Sequence, residues 1–249
     1  MHSPPPSTQH HHIAESRDMA GQSADQLLTG GIELLFDCGF KLGVRRETAA
    51  SAAIYFHKFF ASHSPLVYDV NLVSAAALFL AGKVEEDRVS QRDLVNVFYC
   101  TLNPNAEPLD RGPVNESLNE SILSLEHILV RSLSFRTVND LPHRYLLHYL
   151  KSLTDWLQVD EEEKALMCRT CWSLLNDFFC NAKCIEHPAA EVAVATISLA
   201  LRVHDITVPA DGDALVTWNE AVREDLSKDK ITEIGRDLIL TYKQMMCKT

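Results

Sequence analysis

The 249-residue chain carries 34 acidic against 23 basic side chains, a formal charge of −11, and 46% of its residues are hydrophobic. That apolar fraction fills one large domain or two of ordinary size, while the acidic surface repels phosphate backbones, so neither nucleic acid nor an anionic membrane is an expected partner. No uninterrupted apolar run reaches the ~18 residues of a membrane span, and the start of the chain, with Pro4 to Pro6 and His10 to His12, lacks the apolar centre of a signal peptide. The expectation is an intracellular protein of the nucleus and cytoplasm. Seven cysteines, an odd number scattered over a long chain, read as reduced thiols rather than a disulfide framework.

Residues 1–23 have few large apolar side chains and several turn formers, which predicts a disordered N-terminal tail. From about residue 24 the apolar spacing is helical. Leu27, Leu28, Ile32, Leu35 and Phe36 mark a first helix, closed by the glycines of "CGFKLG". A second runs from Arg45 to Phe60, where Ala49, Ala50, Ala52 and Ala53 make a face small enough for close helix approach. Asp69 caps a third helix reaching about Glu86, and Ser90 caps a fourth. After "TLNPNAEPLDRGP" a fifth spans about Val114 to Leu133, with Leu118, Ile122, Leu125, Leu129 and Leu133 on one stripe.

The pattern then begins again. Pro142 fits the first turn of a sixth helix, and further helices are predicted at about Asp160–Asn181, Pro188–His204, Val216–Glu224 and Lys228–Met246. The segment "VSAAALFLAGKV" (73–84) aligns without a gap with "VAVATISLALRV" (192–203), an offset of 119 residues, at the same ordinal position in each half. That is the signature of a duplicated helical unit.

Both matched helices are apolar nearly all round, as a central helix enclosed by others would be. Gly82 and Lys83 break the pattern in "AAALFLAGKVEED". A glycine inside a helix costs on the order of 1 kcal/mol relative to alanine. Two readings stand side by side: Lys83 is a helix-end cation paired with Glu86 or Asp87, or the helix end is a platform for another protein's backbone. In the second reading Gly82 permits close approach, Leu80 and Val84 supply apolar contact and Lys83 donates hydrogen bonds.

Three stretches, "IYFHKFF", "LAGKVEE" and "LNPNAEPL" followed by "ILSLEHILVRSLSF", resemble the cyclin box, and with "PHRYLLHYLKSL" the chain from about residue 24 to 245 resembles the transcription-type cyclins. The resemblance implies an all-α fold of two tandem five-helix cyclin-box repeats: a kinase-binding box at residues 24–137 and a second, box-like repeat at 138–249. It implies a regulatory, activating subunit whose partner is a cyclin-dependent kinase, with one of the cyclin-dependent kinase 10 type among the candidates. Lys83 and Glu126 would hydrogen-bond the kinase backbone beside its regulatory helix, and Leu80, Gly82, Val84 and Phe135 would complete the surface. The substrate-docking pattern of cell-cycle cyclins is not matched by "DQLLTGGIELL", which has no arginine and has Ile32 near the tryptophan position.

Two other classes meet particular residues of the chain. Cys168, Cys171, Cys180, Cys184 and His187 have spacings that suggest zinc, but Cys168, Cys171, Trp172, Leu175, Phe178 and Phe179 fall on one apolar helical stripe, where cysteine is an ordinary core residue. No phosphate loop or glycine-flanked nucleophile is present, so no catalytic residue, metal or cofactor is expected. A promoter-binding factor of similar fold, of the TFIIB type, would carry a basic surface that this chain lacks.

Overall fold

The computed structural model describes residues 7–208, 218 and 227–246, with side chains described at 24–208, 218 and 227–243. The elements in chain order are α1 (Ser7–Leu42), α2 (Arg46–Phe60), α3 (Val70–Val84), α4 (Gln91–Leu102), α5 (Pro113–Ser132), α6 (Pro142–Thr154), α7 (Glu161–Phe178), a 3-10 turn at Ala182–Ile185, α8 (Ala189–Val203) and α9 (Lys228–Met246). The described residues contain no strand, so the fold class is all-α. Helix α1 begins at Ser7, so for residues 7–23 a helix replaces the expected disorder. Ala14, Glu15, Arg17, Met19 and Ala20 have good helix propensity and extend a helix already nucleated downstream. Residues 1–6 lie outside the described residues, as does all of the helix expected at 216–224 except Trp218.

The chain divides into two compact units, residues 1–45 with 58–137 and residues 46–57 with 138–249. The division after Thr137 falls where the sequence pattern starts again. The first turns of α2 group with the second unit, whereas the sequence places the whole helix in the first. Its small face is fully used, since Ala49, Ala50, Ala52 and Ala53 are all buried.

In the first unit α3 is the central helix, packed against α1, α4 and α5. It is apolar on every side because it has neighbours on every side, and eleven consecutive or near-consecutive positions from Val70 to Gly82 are buried. Full burial of a leucine- or phenylalanine-sized side chain contributes about 1.5–3 kcal/mol, so Leu78, Phe79 and Leu80 alone are worth several. Its one buried hydroxyl, on Ser74, lies 2.7 Å from the Gly31 carbonyl and is thereby satisfied. The boundaries follow local chemistry. Asp69 caps α3 through the amides of Asn71 and Leu72, Ser90 caps α4, and Gly43 at φ +69° ends α1 in the left-handed conformation that glycine adopts without strain.

In the second unit α8 takes the central place, packed against α6, α7 and α9. Asp160 caps α7 and Pro142 opens α6. Two buried histidines meet Phe179: His57 Nε2 is 2.9 Å from its carbonyl, and the His143 ring lies parallel to its ring at 5.6 Å. Burial pushes His57 down to about 4, against the opposing pull of the Phe179 carbonyl, and burial also lowers His143. Both rings are therefore neutral at physiological pH.

The duplication extends beyond the aligned dozen residues. Helices α3 and α8 are both 15 residues long and stop in the same way. After α3 the Glu85 amide bonds Ala81 O, Glu86 turns to φ +54° and the Asp87 amide bonds Gly82 O. After α8 the His204 amide bonds Ala200 O, Asp205 turns to φ +53° and the Ile206 amide bonds Leu201 O. Each is a Schellman-type stop in which an acidic residue holds the place usually given to glycine.

Candidate functional site

The last turn of α3 and the middle of α5 bring together two charges 43 positions apart in sequence. Lys83 Nζ lies 2.7 and 2.9 Å from the two carboxylate oxygens of Glu126, and 4.1 Å from the centre of the Phe79 ring. The pair is asymmetric: the Lys83 side chain is 51% exposed and that of Glu126 only 9%. Helix packing sets this difference, because Glu126 lies on the same face of α5 as Ile122 and Leu129, which point into the core. Both Glu126 oxygens engage the ammonium, and the cation rests on an aromatic face. An ammonium has three donors, so at least one N–H of Lys83 remains for an outside acceptor. The sequence alternative, a local pair with Glu86 or Asp87, is not the one formed.

Asp87 is committed elsewhere. Its carboxylate accepts the backbone N–H of Arg45 at 2.8 Å and lies 3.7 Å from Arg45 Nε, and the Arg45 guanidinium also donates to the Glu85 carbonyl. This clasp ties the segment that follows α3 to Arg45, in the connection after α1. Nothing in the sequence around Arg45 signals it.

The remaining expected site residues separate into two groups. Leu80 is 5% exposed and Gly82 is buried. Leu80 is core rather than surface, because α3 is enclosed on that side. The close approach that Gly82 permits is made by the chain itself: a Cβ there would stand 2.7 Å from Val89 Cγ2 and 3.3 Å from the Asp87 carbonyl. Both therefore act from inside, by shaping the helix end. Val84 is half-buried, and Phe135 is 74% exposed. Phe135 follows α5 in an uncommon backbone: Ser134 has φ +52° and Phe135 φ +60°, with the Phe135 amide bonded to the Val130 carbonyl at 3.0 Å. Left-handed conformation costs a non-glycine residue about 1–2 kcal/mol; at Ser134 it belongs to the helix stop, the same Schellman-type arrangement as after α3 and α8, and Phe135 carries it one residue further with its side chain in solvent.

The cysteine set is dispersed among packing roles. Cys171 and Cys184 are buried, and burial pushes the Cys171 thiol up to about 12 and that of Cys38 up to about 11. His187 is occupied by Asp237 at 2.9 Å. Among the described residues no group of three or more His, Cys, Asp or Glu side chains could hold a metal ion, and no helix is long and apolar enough to cross a membrane. In the acidic run 160–163, Asp160 caps α7 through the Glu163 amide at 2.7 Å.

The chain is 28% identical to Cyclin-K of Homo sapiens over 216 residues, which is 86% of this chain and 36% of that protein. It thus spans about a third of the length of that relative. It shares its fold with a chain of the yeast RNA polymerase II CTD kinase CTDK-1 complex, with a TM-score of 0.70 and 15% identity over 89% of this chain and 66% of that one. A chain of the yeast TFIIK complex matches with a TM-score of 0.64 and 19% identity over 96% of this chain and 94% of that one. Residues 7–138, slightly more than half of the sequence and including Lys83, Glu126 and Phe135, match the family described as cyclin, N-terminal domain. With a central apolar helix in each of two units, the same helix stop in both, and this match over the first, the chain belongs to the cyclin family.

Proposed function

We propose that the chain is the activating, regulatory subunit of a cyclin-dependent protein kinase, with every catalytic residue supplied by the partner. The observation that carries this reading is the Lys83–Glu126 pair: a half-exposed cation held on a buried carboxylate and an aromatic ring, with donor capacity to spare. Such a group recognises a backbone carbonyl by position, and charge-assisted hydrogen bonds contribute about 1.5–3 kcal/mol each. Phe135 adds the apolar contact and Val84 a smaller one. Leu80 and Gly82 support them from within. The solved complexes that share the fold contain protein kinases, which supports the same reading.

The mechanism is a population shift. A kinase whose regulatory helix is turned away cannot pair its glutamate with the lysine that positions ATP. A subunit that binds only the inward arrangement raises its population by its differential affinity for the two states. The first repeat, residues 24–137, makes the contact, and the second, 138–249, is scaffold or a surface for further partners. The similarity to a transcription-type cyclin favours a nuclear setting, with a kinase of the cyclin-dependent kinase 10 type as a first candidate. Direct nucleic-acid binding has no part in the proposal.

The test compares wild type, Lys83→Glu and Glu126→Gln by thermal melting and by stimulation of the co-purifying kinase. Breaking one partner of a buried charged contact costs about 2–5 kcal/mol, a loss of roughly 30-fold to several thousand-fold in kinase affinity. Variants that stay folded and still activate the kinase fully would show that Lys83 is only a helix-end cation.

A further inference from the structure

The loop between α2 and α3 is pinned at its base and bare at its tip. At the base, the His63 ring stacks on Phe59 at 4.2 Å with its Nδ1 3.0 Å from the Phe59 carbonyl, and the Tyr68 ring meets Phe59 edge-on at 5.0 Å. The four residues between these anchors are Ser64, Pro65, Leu66 and Val67. Ser64 is exposed, Leu66 and Val67 are 67% and 76% exposed, and only Pro65 of the four is half-buried.

The chemistry of the tip is specific. In the whole sequence only Ser3–Pro4 and Ser64–Pro65 place a proline directly after a serine or threonine. Pro65 has no N–H and holds the preceding residue extended. An enzyme groove that offers no acceptor to the residue after the target hydroxyl selects proline there, since any other residue would bury an unpaired amide. The Ser64 hydroxyl oxygen accepts the Leu66 amide at 3.2 Å, which leaves its own proton free to be removed. The Ser64 carbonyl takes the amides of Val67 and Tyr68 at 3.1 and 3.3 Å, so the tip is a single tight turn.

We propose that Ser64 is a phosphorylation site for a proline-directed protein serine kinase. Ser64 Oγ attacks the γ-phosphorus of ATP, the bond from that phosphorus to the β–γ bridging oxygen breaks, ADP departs, and the hydroxyl proton passes to a carboxylate base of the kinase. The product is a phosphoserine of about −2 charge at a tip, residues 64–67, that has no acidic residue of its own. The proposal does not depend on the docking role of Lys83. Ser64 precedes the N-terminus of α3 and Lys83 lies in its last turn, about 20 Å away along a 15-residue helix, so the phosphate leaves that end uncovered.

The test treats the intact chain with a purified proline-directed kinase of the mitogen-activated type and magnesium ATP, and maps phosphate by peptide mass spectrometry. Modification of Ser64 is expected, absent from segment 61–69 in Ser64→Ala. Pro65→Ala keeps the hydroxyl and should lower the initial rate about tenfold or more, the cost of one unpaired buried amide. Phosphate confined to Ser3, undiminished labelling of 61–69 in Ser64→Ala, or an unchanged rate in Pro65→Ala would each overturn the assignment.

Discussion

Replacing Gly82 by alanine sets a gain in helix propensity against a collision. Alanine is better than glycine inside a helix by about 1 kcal/mol, so from the helix alone the variant would be more stable. The new Cβ would, however, stand 2.7 Å from Val89 Cγ2 and 3.1 Å from Val89 Cβ. Rotating the valine does not relieve the second contact, because Cβ lies on the rotation axis. Moving its backbone disturbs Asp87, which the Arg45 amide holds at 2.8 Å. Overpacking of this kind costs about 1–3 kcal/mol. The collision wins, with a net loss of about 1 kcal/mol and a fall in Tm of about 2–4 °C for a chain of this size. Val89→Gly removes both Cγ2 and Cβ. In that background Gly82→Ala is expected to turn neutral or stabilising, giving a coupling energy of about 1–2 kcal/mol in a double-mutant cycle. Urea and thermal unfolding of the four proteins measure it. A Gly82→Ala variant that melts higher than its parent in both backgrounds would refute the account.

The two acidic residues at matched helix stops give a second prediction. Glu86 and Asp205 are exposed at φ +54° and +53°, so Glu86→Gly and Asp205→Gly should each stabilise by about 0.5–1 kcal/mol, with additive effects on Tm. A third concerns acid. His57 titrates at about 4 when folded against about 6.5 unfolded, so below pH 6.5 the unfolded chain takes up a proton that the native one refuses. Its stabilising effect is complete above pH 6.5 and is lost progressively down to about pH 4, at most about 3 kcal/mol, with His143 adding in the same direction. His57→Gln should flatten the stability profile between pH 6.5 and 4.5 in urea titrations, and an unaltered slope would remove His57 from the explanation.

What the sequence made legible is what local chemistry controls. Asp69 and Ser90 cap the helices the sequence assigns to them, the helix expected from about Asp160 starts there with Asp160 as its cap, Gly43 ends α1, and Pro142 opens α6. The all-helical class followed from periodicity, and the repeat from one dozen-residue alignment. What stayed hidden is tertiary. A helix that is apolar all round cannot say which of its leucines faces out, so the sequence leaves Leu80 open between surface and core, and the fold buries it. Gly82 announced a close approach but not that Val89, seven residues on, would make it. His57 and Phe179 lie 122 positions apart, and no local pattern joins them. Left-handed turns at Ser134 and Phe135 leave no trace, because neither residue type favours that conformation. Lys83 and Glu126 were paired through resemblance to a family, since their spacing alone carries no signal.

The twin helix stops also differ in electrical reach. At the position of α8 matching Lys83 stands Arg202, which is exposed and has no acidic partner among the described residues. A cation married to a carboxylate less than 3 Å away behaves as a dipole, whose field dies within contact range. An unmated cation acts as a monopole and is felt out to a Debye length, about 8 Å at physiological salt. Among the described residues, the matched ends of α3 and α8 therefore carry cations of unlike reach: Lys83 is felt only by a group in contact with it, whereas the charge of Arg202 extends over the screening distance.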